Sequence, residues 1–206
     1  MQTLQTLQKE CSAFFSGLGM PPSGSLVFGD GLSQSPVLML IGEAPGEQEA
    51  LQGKPFVGKA GKNLDEFLKA LSLERDEIYI SNVVKLRPSK LSKAGRTVNR
   101  PPTREEKALF TPWLMREIAI IQPAALVTLG NVALQAFIAE SIGNLHGRWQ
   151  RAVVSPSDGK AFTLPLFPLY HPASVIYNRS LADVYRQDLQ ALAASLRAGS
   201  NARDDI

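Results

Sequence analysis

The chain has 206 residues, is 44% hydrophobic and 20% charged, and carries a formal charge of +3. That composition is too apolar for a disordered chain, and no stretch reaches the ~18 apolar residues of a membrane span. Cys11 is the only cysteine, which excludes an internal disulfide and any metal site built from several cysteines of one chain. The N-terminus lacks a basic start followed by an apolar core, so no leader and a cytoplasmic location are expected. The length predicts one domain over 1–206, with a polar, mobile tail from 199 to 206.

The first ~18 residues read as a helix, because Leu4, Leu7, Cys11, Phe14 and Phe15 recur at helical spacing. Gly17 and Gly19 end it, and Pro21–Gly24 reads as a turn. Residues 37–42 form a short apolar run that stops abruptly, the mark of a buried parallel strand. A loop is expected to about residue 60, then a helix over 61–72 with Leu64, Phe67, Leu68 and Leu71 on one face. Residues 78–84 read as the second strand. The segment after it contains Pro88, Gly95, Pro101 and Pro102 and is expected to be mostly loop.

Thr103-Arg-Glu-Glu106 fits a capping box, predicting a helix to about Ile121 that Pro112 kinks or cuts. Residues 124–129 read as the third strand, followed by a helix from Gly130-Asn131 to about Ser141. Residues 162–169 read as the fourth strand, and their two prolines suggest a sheet edge. The last helix covers 181–197, with Leu181, Val184, Leu189, Leu192 and Leu196 inward. Alternating strands and helices predict an α/β fold: a three-layer α/β/α sandwich around a mainly parallel four-stranded sheet.

Seven of the 22 basic residues, and no acidic one, fall between Lys85 and Arg104. Lys85, Arg87, Lys90, Lys93, Arg96, Arg100 and Arg104 therefore stand on a chain that is otherwise net acidic. Such a segment is either a solvated loop or a polyanion-binding surface.

Ligands of parallel sheets sit beyond the carboxyl ends of the strands. The loops there carry the chain's unusual sequences. Gly42-Glu-Ala-Pro-Gly-Glu47 lets backbone N–H groups approach a ligand closely, with Glu43 aimed into the cleft and Glu47 and Glu49 following. Phe56, between the glycine turns at Gly53 and Gly58, is a platform for a planar ring or a side chain tucked under its own loop. Asn82 ends the second strand with an amide able to read a base edge or cap the turn. His171, one of two histidines, precedes Pro172 and can donate to a developing oxyanion or make a structural bond.

The succession Gly-Glu-Ala-Pro-Gly, Gly-Lys-Pro-Phe-Val-Gly, Asn-Val-Val-Lys and His-Pro-Ala-Ser resembles the uracil-DNA glycosylase superfamily, and within it the branch called family 4. The resemblance runs from about residue 20 to 197. It includes Asn99-Arg-Pro-Pro-Thr-Arg-Glu-Glu106, Pro112-Trp-Leu114 and Leu129-Gly130. It implies a uracil-DNA glycosylase-like fold and a monofunctional glycosylase that flips uracil from single- or double-stranded DNA and leaves an abasic site.

Carried over by position, Glu43 activates water or stabilises the cationic sugar, with Glu47 as fallback because other branches place an aspartate at Ala44. Phe56 stacks on uracil, Asn82 reads its imide edge, and His171 bonds O2, while Gly42, Ala44 and Gly46 line the base. Val175, Ile176 and Tyr177 are the wedge candidates, and Ser174 and Arg179 lie against the backbone. Lys85, Arg87, Lys90, Lys93, Arg96 and Arg100 would follow phosphates.

The chain departs from family 4 at its iron–sulfur cysteines. Those positions here read Cys11, Phe14, Leu86 and Phe110, so no cluster or other metal is expected and a small apolar core should fill the space. A related branch carries a histidine in the insert corresponding to Pro88–Arg100 that becomes linked to DNA; none is present here, and ordinary turnover is expected. No cofactor is implied, no membrane partner is expected, and a monomer is the expected state. A non-catalytic DNA-binding protein on this fold, or a glycosylase for another deaminated base such as hypoxanthine, remains open.

Overall fold

Leu38 and Leu40 turn to one side of a strand and Met39 and Ile41 to the other, and all four are fully buried. Burial on both faces requires helices on both faces, and the fold supplies them. The structure, a computed structural model, describes residues 2–20, 26–177 and 180–198; at 59, 60, 62, 63 and 175–177 it describes the backbone alone. The expected turn at 21–24 and tail at 199–206 lie outside the described residues.

In chain order the elements are α1 (Leu4–Gly17), β1 (Asp30–Gly31), β2 (Met39–Gly42), α2 (Glu47–Gln52), α3 (Lys59–Leu71) and β3 (Tyr79–Asn82). Then come β4 (Ser89–Leu91), β5 (Thr97–Asn99), α4 (Arg104–Ile121), β6 (Leu126–Leu129), α5 (Asn131–Leu134) and α6 (Ile142–Leu145). The chain continues through β7 (Gln150–Val154), β8 (Phe162–Leu169), α7 (Pro172–Tyr177) and α8 (Leu181–Arg197). The main sheet runs β1-β3-β2-β6-β8-β7. Its four inner strands β3, β2, β6 and β8 are mutually parallel, while β1 and β7 are antiparallel edges.

The expected parallel strands are therefore the middle of a sheet with six strands, not four. The missed edges are a two-residue strand and Gln150–Val154, which turns Ala152 and Val154 inward and Arg151 and Val153 outward. Because β7 returns along β8, the proline-bearing strand is not at the edge, in contrast to the expectation. Pro168 lies opposite Thr128, and its carbonyl accepts from Gly147 N at 3.0 Å. A proline lacks only a donor, and here its acceptor is used.

α1 and α4 cover one face, with Phe15, Phe110, Leu114 and Ile118 against Met39, Ile41 and Leu126. α3 and α8 cover the other, with Leu64, Phe67, Leu68 and Leu192 against Leu38, Leu40, Val127 and Phe167. These are the three layers of an α/β sandwich. α4 starts at the expected capping box, where Thr103 Oγ1 accepts from Glu106 N and Glu106 accepts from Thr103 N. It passes through Pro112 uncut. The helix expected over 131–141 is instead two single turns, α5 and α6, pinned together where Asn131 Oδ1 accepts from Ile142 N at 2.8 Å. The segment after β3 is also more ordered than expected. β4 and β5 pair as an antiparallel hairpin, Ser89 opposite Asn99 and Leu91 opposite Thr97.

Candidate active site

The ends of β2, β3 and β8 and the turns after them enclose a cavity of about 480 Å³. Ala44, Gly46, Glu47, Phe56, Asn82, Asn99 and His171 are among the residues lining it. Two registers make this convergence. Gly42 pairs with Asn82 across β2 and β3, and Leu129 pairs with Leu169, two residues before His171, across β6 and β8. Gly42 is compulsory, because a Cβ there would fall on Asn82 Oδ1 and the Phe56 ring.

The Phe56 loop is held from two directions. Arg75 donates to Phe56 O at 3.2 Å and Pro55 O at 2.8 Å. Glu49, buried, accepts from Gly46 N at 3.1 Å, Val57 N at 3.1 Å and Gly58 N at 2.7 Å. It thus caps both α2 and α3 and joins the two glycine loops. Phe56 takes a left-handed backbone, φ 53°, which non-glycine residues adopt uncommonly. Its ring is buried and lies 6.4 Å from that of His171 with the planes 22° apart. Phe56 is thus tucked under its loop, as one expectation had it, and its residue also lines the cavity.

Asn82 is buried, and its side-chain amide has no hydrogen-bond partner among the described residues; it opens on the cavity. Its backbone is fixed from behind, where Lys85 Nζ donates to Asn82 O at 2.8 Å. His171 Nδ1 accepts from Ala173 N at 3.2 Å, which leaves the ring proton on Nε2. Burial pushes the imidazole below its ordinary 6.5, favouring the neutral ring. The cavity is thus furnished with an aromatic face, an unpaired amide and a neutral N–H donor.

The carboxylates divide. Glu43 is half-buried, and burial raises its carboxyl above the ordinary 4.5, opposed by the Lys107 ammonium. It does not line the cavity described, in contrast to the expectation that it points into the cleft. Glu47 does line it, but is exposed and bonded at 3.1 Å to Arg87.

The basic segment divides as well. Lys85 is only 1% exposed and is paired with Glu117 at 2.6 Å, so it cannot reach a phosphate, contrary to expectation. Arg100 is bound through both terminal nitrogens to Glu106, at 2.7 and 2.6 Å, and anchors the hairpin base to α4. Arg87 donates to Asn99 Oδ1 at 2.7 Å and to Glu47. Lys90, Lys93 and Arg96 stand exposed on the hairpin. Ser174 N donates to His171 O at 2.8 Å. The side chains of Val175, Ile176 and Tyr177, and all of Arg179, lie outside the described residues. Sequence reasoning gave no role to Glu49, Arg75 or Asn99. Only Glu49, three residues after the Gly46 cap, left a local signal.

A parallel-sheet α/β protein with its ligand cleft at the strand ends is the class this arrangement defines. The family model described as the uracil DNA glycosylase superfamily matches residues 28–193. The chain belongs to that superfamily. It is 36% identical to a type-4 uracil-DNA glycosylase of Sulfurisphaera tokodaii over 75% of this chain and 68% of the relative. It is 31% identical to a type-4 uracil-DNA glycosylase of Pyrobaculum aerophilum over 92% and 91%. A type-5 uracil-DNA glycosylase of the same organism is 27% identical over 90% and 81%.

The residues standing where family 4 proteins carry cluster cysteines do not fit a four-iron cluster. Cys11, Leu86 and Phe110 are buried together, and Phe15 stacks on Phe110 with ring centroids 4.1 Å apart. The one thiol is pushed up to about 12 by burial. Phe14, expected in the same core, is instead 44% exposed and packs on Phe15 and Trp113.

Proposed function

We propose that the protein excises uracil from DNA by hydrolysing its N-glycosidic bond and leaves an abasic site. The observation that carries this reading is the Asn82 amide, open to the cavity and without a protein partner among the described residues, beside the Phe56 ring and the neutral His171. An amide that faces a cavity with both its donor and its acceptor free is available to a ligand. An imide edge, with a donor and an acceptor side by side, matches it.

The target base must leave the duplex to reach these groups. Phe56 covers its face and Asn82 reads its edge, Oδ1 on N3–H and Nδ2–H on O4; with the amide held in that orientation cytosine offers a mismatched pattern. As the glycosidic bond breaks, negative charge grows on the departing uracil and positive charge on the sugar. His171 Nε2–H donates to the developing anion at O2, and a neutral imidazole does so without a prior ion pair in the ground state. Two carboxylates are candidates to supply negative charge near the sugar and orient the water: Glu43, half-buried beside the lining residue Ala44, and Glu47, exposed on the cavity lining. Lys90, Lys93 and Arg96 hold phosphates and contribute affinity, not base choice. No metal or cofactor enters this scheme, and one chain supplies the whole site.

The test is cleavage of labelled single- and double-stranded oligonucleotides with one deoxyuridine, followed by alkali. Thymine, cytosine and hypoxanthine substrates run beside them. Scission at uracil alone, lost in Asn82→Ala and His171→Ala, is the expected result. Equal or faster scission at hypoxanthine would reassign the substrate. Salt-sensitive binding without scission on any substrate would make this a non-catalytic DNA-binding protein.

A further inference from the structure

Tyr79, Ser81, Lys85 and Glu117 form a polar cluster inside the sandwich, and all four are buried. Glu117 comes from α4, and the others from β3 and the turn after it. Tyr79 Oη donates to Glu117 Oε1 at 2.9 Å, and Ser81 Oγ donates to Glu117 Oε2 at 2.8 Å. Lys85 Nζ donates to Glu117 Oε2 and to Ser81 Oγ, each at 2.6 Å, and to the main-chain Asn82 O at 2.8 Å.

A buried ion pair seldom repays its own desolvation, and a packed apolar pair of similar volume often holds a fold as well. Stability alone therefore does not account for this one. Bonding the carbonyl of Asn82 is what an apolar pair cannot do. Asn82 is already confined on its cavity side, where its Oδ1 and the Phe56 ring pack against Gly42 so closely that a Cβ there has no room. Beyond it, Val83 N donates to Gly42 O at 2.9 Å and Val84 N to Glu43 O at 3.1 Å, which laces the turn after β3 to the turn after β2. Lys85 adds an attachment to Asn82 itself.

We propose that Lys85, held by Glu117 and Ser81, is a positioning residue that sets the Asn82 amide for its contact with the base. The proposal rests on the reading of the cavity as a base pocket. An amide displaced by a fraction of an ångström meets a ring edge out of line, and hydrogen bonds weaken steeply with misalignment. The cluster acts on the rate of excision and not on affinity for DNA, because its buried members reach no phosphate.

The test compares the full chain with Glu117→Gln, with Lys85→Met/Glu117→Gln and with Phe110→Leu, each acting on an oligonucleotide with one deoxyuridine. Glu117→Gln keeps the amine and its bond to Asn82 O but removes the counter-ion. The double variant removes both charges and that bond. Phe110→Leu loosens the packing of α4 on Phe15 and breaks no bond of the cluster. The double variant should unfold at higher urea than Glu117→Gln and yet excise uracil more slowly. Its kcat should lie about tenfold or more below that of the unaltered chain, with KM changed by less than about twofold. Phe110→Leu should lose stability and keep kcat. A kcat that simply follows stability through the four proteins would make the cluster structural and overturn the proposal.

If even the unaltered chain excises nothing, the base-pocket reading falls and the positioning is judged from the amide itself. The side-chain amide signals of Asn82 in a nitrogen–proton correlation spectrum are identified by their loss in Asn82→Ala. In the double variant they should move toward the shifts of an unconstrained asparagine. Signals unmoved from those of the unaltered chain would overturn the proposal.

Discussion

Lys85 Nζ lies 2.6 Å from Glu117 Oε2, and both side chains are almost wholly withdrawn from water. The ammonium also donates to Ser81 Oγ and to Asn82 O, while Glu117 accepts from Tyr79 and Ser81. Every proton of the cation therefore has an acceptor, directly behind the residue proposed to read the base. Glu117→Ala leaves that cation buried and unpaired, and should cost about 3–5 kcal/mol. Lys85→Met combined with Glu117→Gln removes both charges and should recover most of the loss. Urea unfolding checks this; a single variant as stable as the parent would contradict it.

The acid limb of activity should lie between two ordinary values. Burial lowers His171 from 6.5, so its neutral donor form persists below that pH. Burial raises Glu43 from 4.5, so its carboxylate is lost above that pH as the solution is acidified. The stability effects have opposite signs. Below 6.5 the unfolded chain takes up the histidine proton first, so folding weakens as pH falls through that window. Above 4.5 the unfolded chain releases the Glu43 proton first, so that residue weakens folding as pH rises, until the folded carboxyl also ionises. A kcat/KM profile whose acid limb lies above 6.5 would contradict the assignment. Glu43→Gln should remove one component of that limb.

Salt dependence should separate the arginines and lysines by what they already hold. Replacing Lys90, Lys93 or Arg96 by Ser should reduce the log–log salt slope of duplex binding by about 0.9 for each phosphate left without its cation. Arg100→Ala should lower the unfolding midpoint, because its guanidinium is committed to Glu106. Titration of binding against sodium chloride, beside thermal unfolding, distinguishes the two groups.

The space between α1 and α4 should behave as hydrocarbon. Phe110→Ala removes the ring stacked on Phe15 and should cost about 3–5 kcal/mol. The purified protein should show no visible-range iron–sulfur absorption and no stoichiometric iron. Four irons per chain would overturn the positional correspondence on which that rests.

Local signals were legible and distant ones were not. α4 announced its start through Thr103 and Glu106, and α8 its full length through leucines at helical spacing. Asn82 and His171 are legible as cavity candidates because one ends a recognisable strand and the other follows one, and Phe56 because it stands between two glycine turns, in a sequence resembling a family. Lys85 looked like its basic neighbours. Its burial depends on Glu117, 32 residues away on another element, and nothing near Lys85 records that pairing. β7 was missed because its alternation is brief and its inward positions include the small Ala152. Asn99 reaches the cavity only because the basic segment folds back as a hairpin, and its prolines and glycine had argued for a loop.

Glu49 makes the two glycine loops one mechanical part. Its carboxylate holds the amides of Gly46, Val57 and Gly58, so the turn after β2 and the loop carrying Phe56 cannot drift independently while it stays in place. Release of that one side chain frees all three amides together. Their hydrogen exchange is then a single opening event shared by two separate segments of the chain, and a ligand that quiets one loop slows exchange in the other.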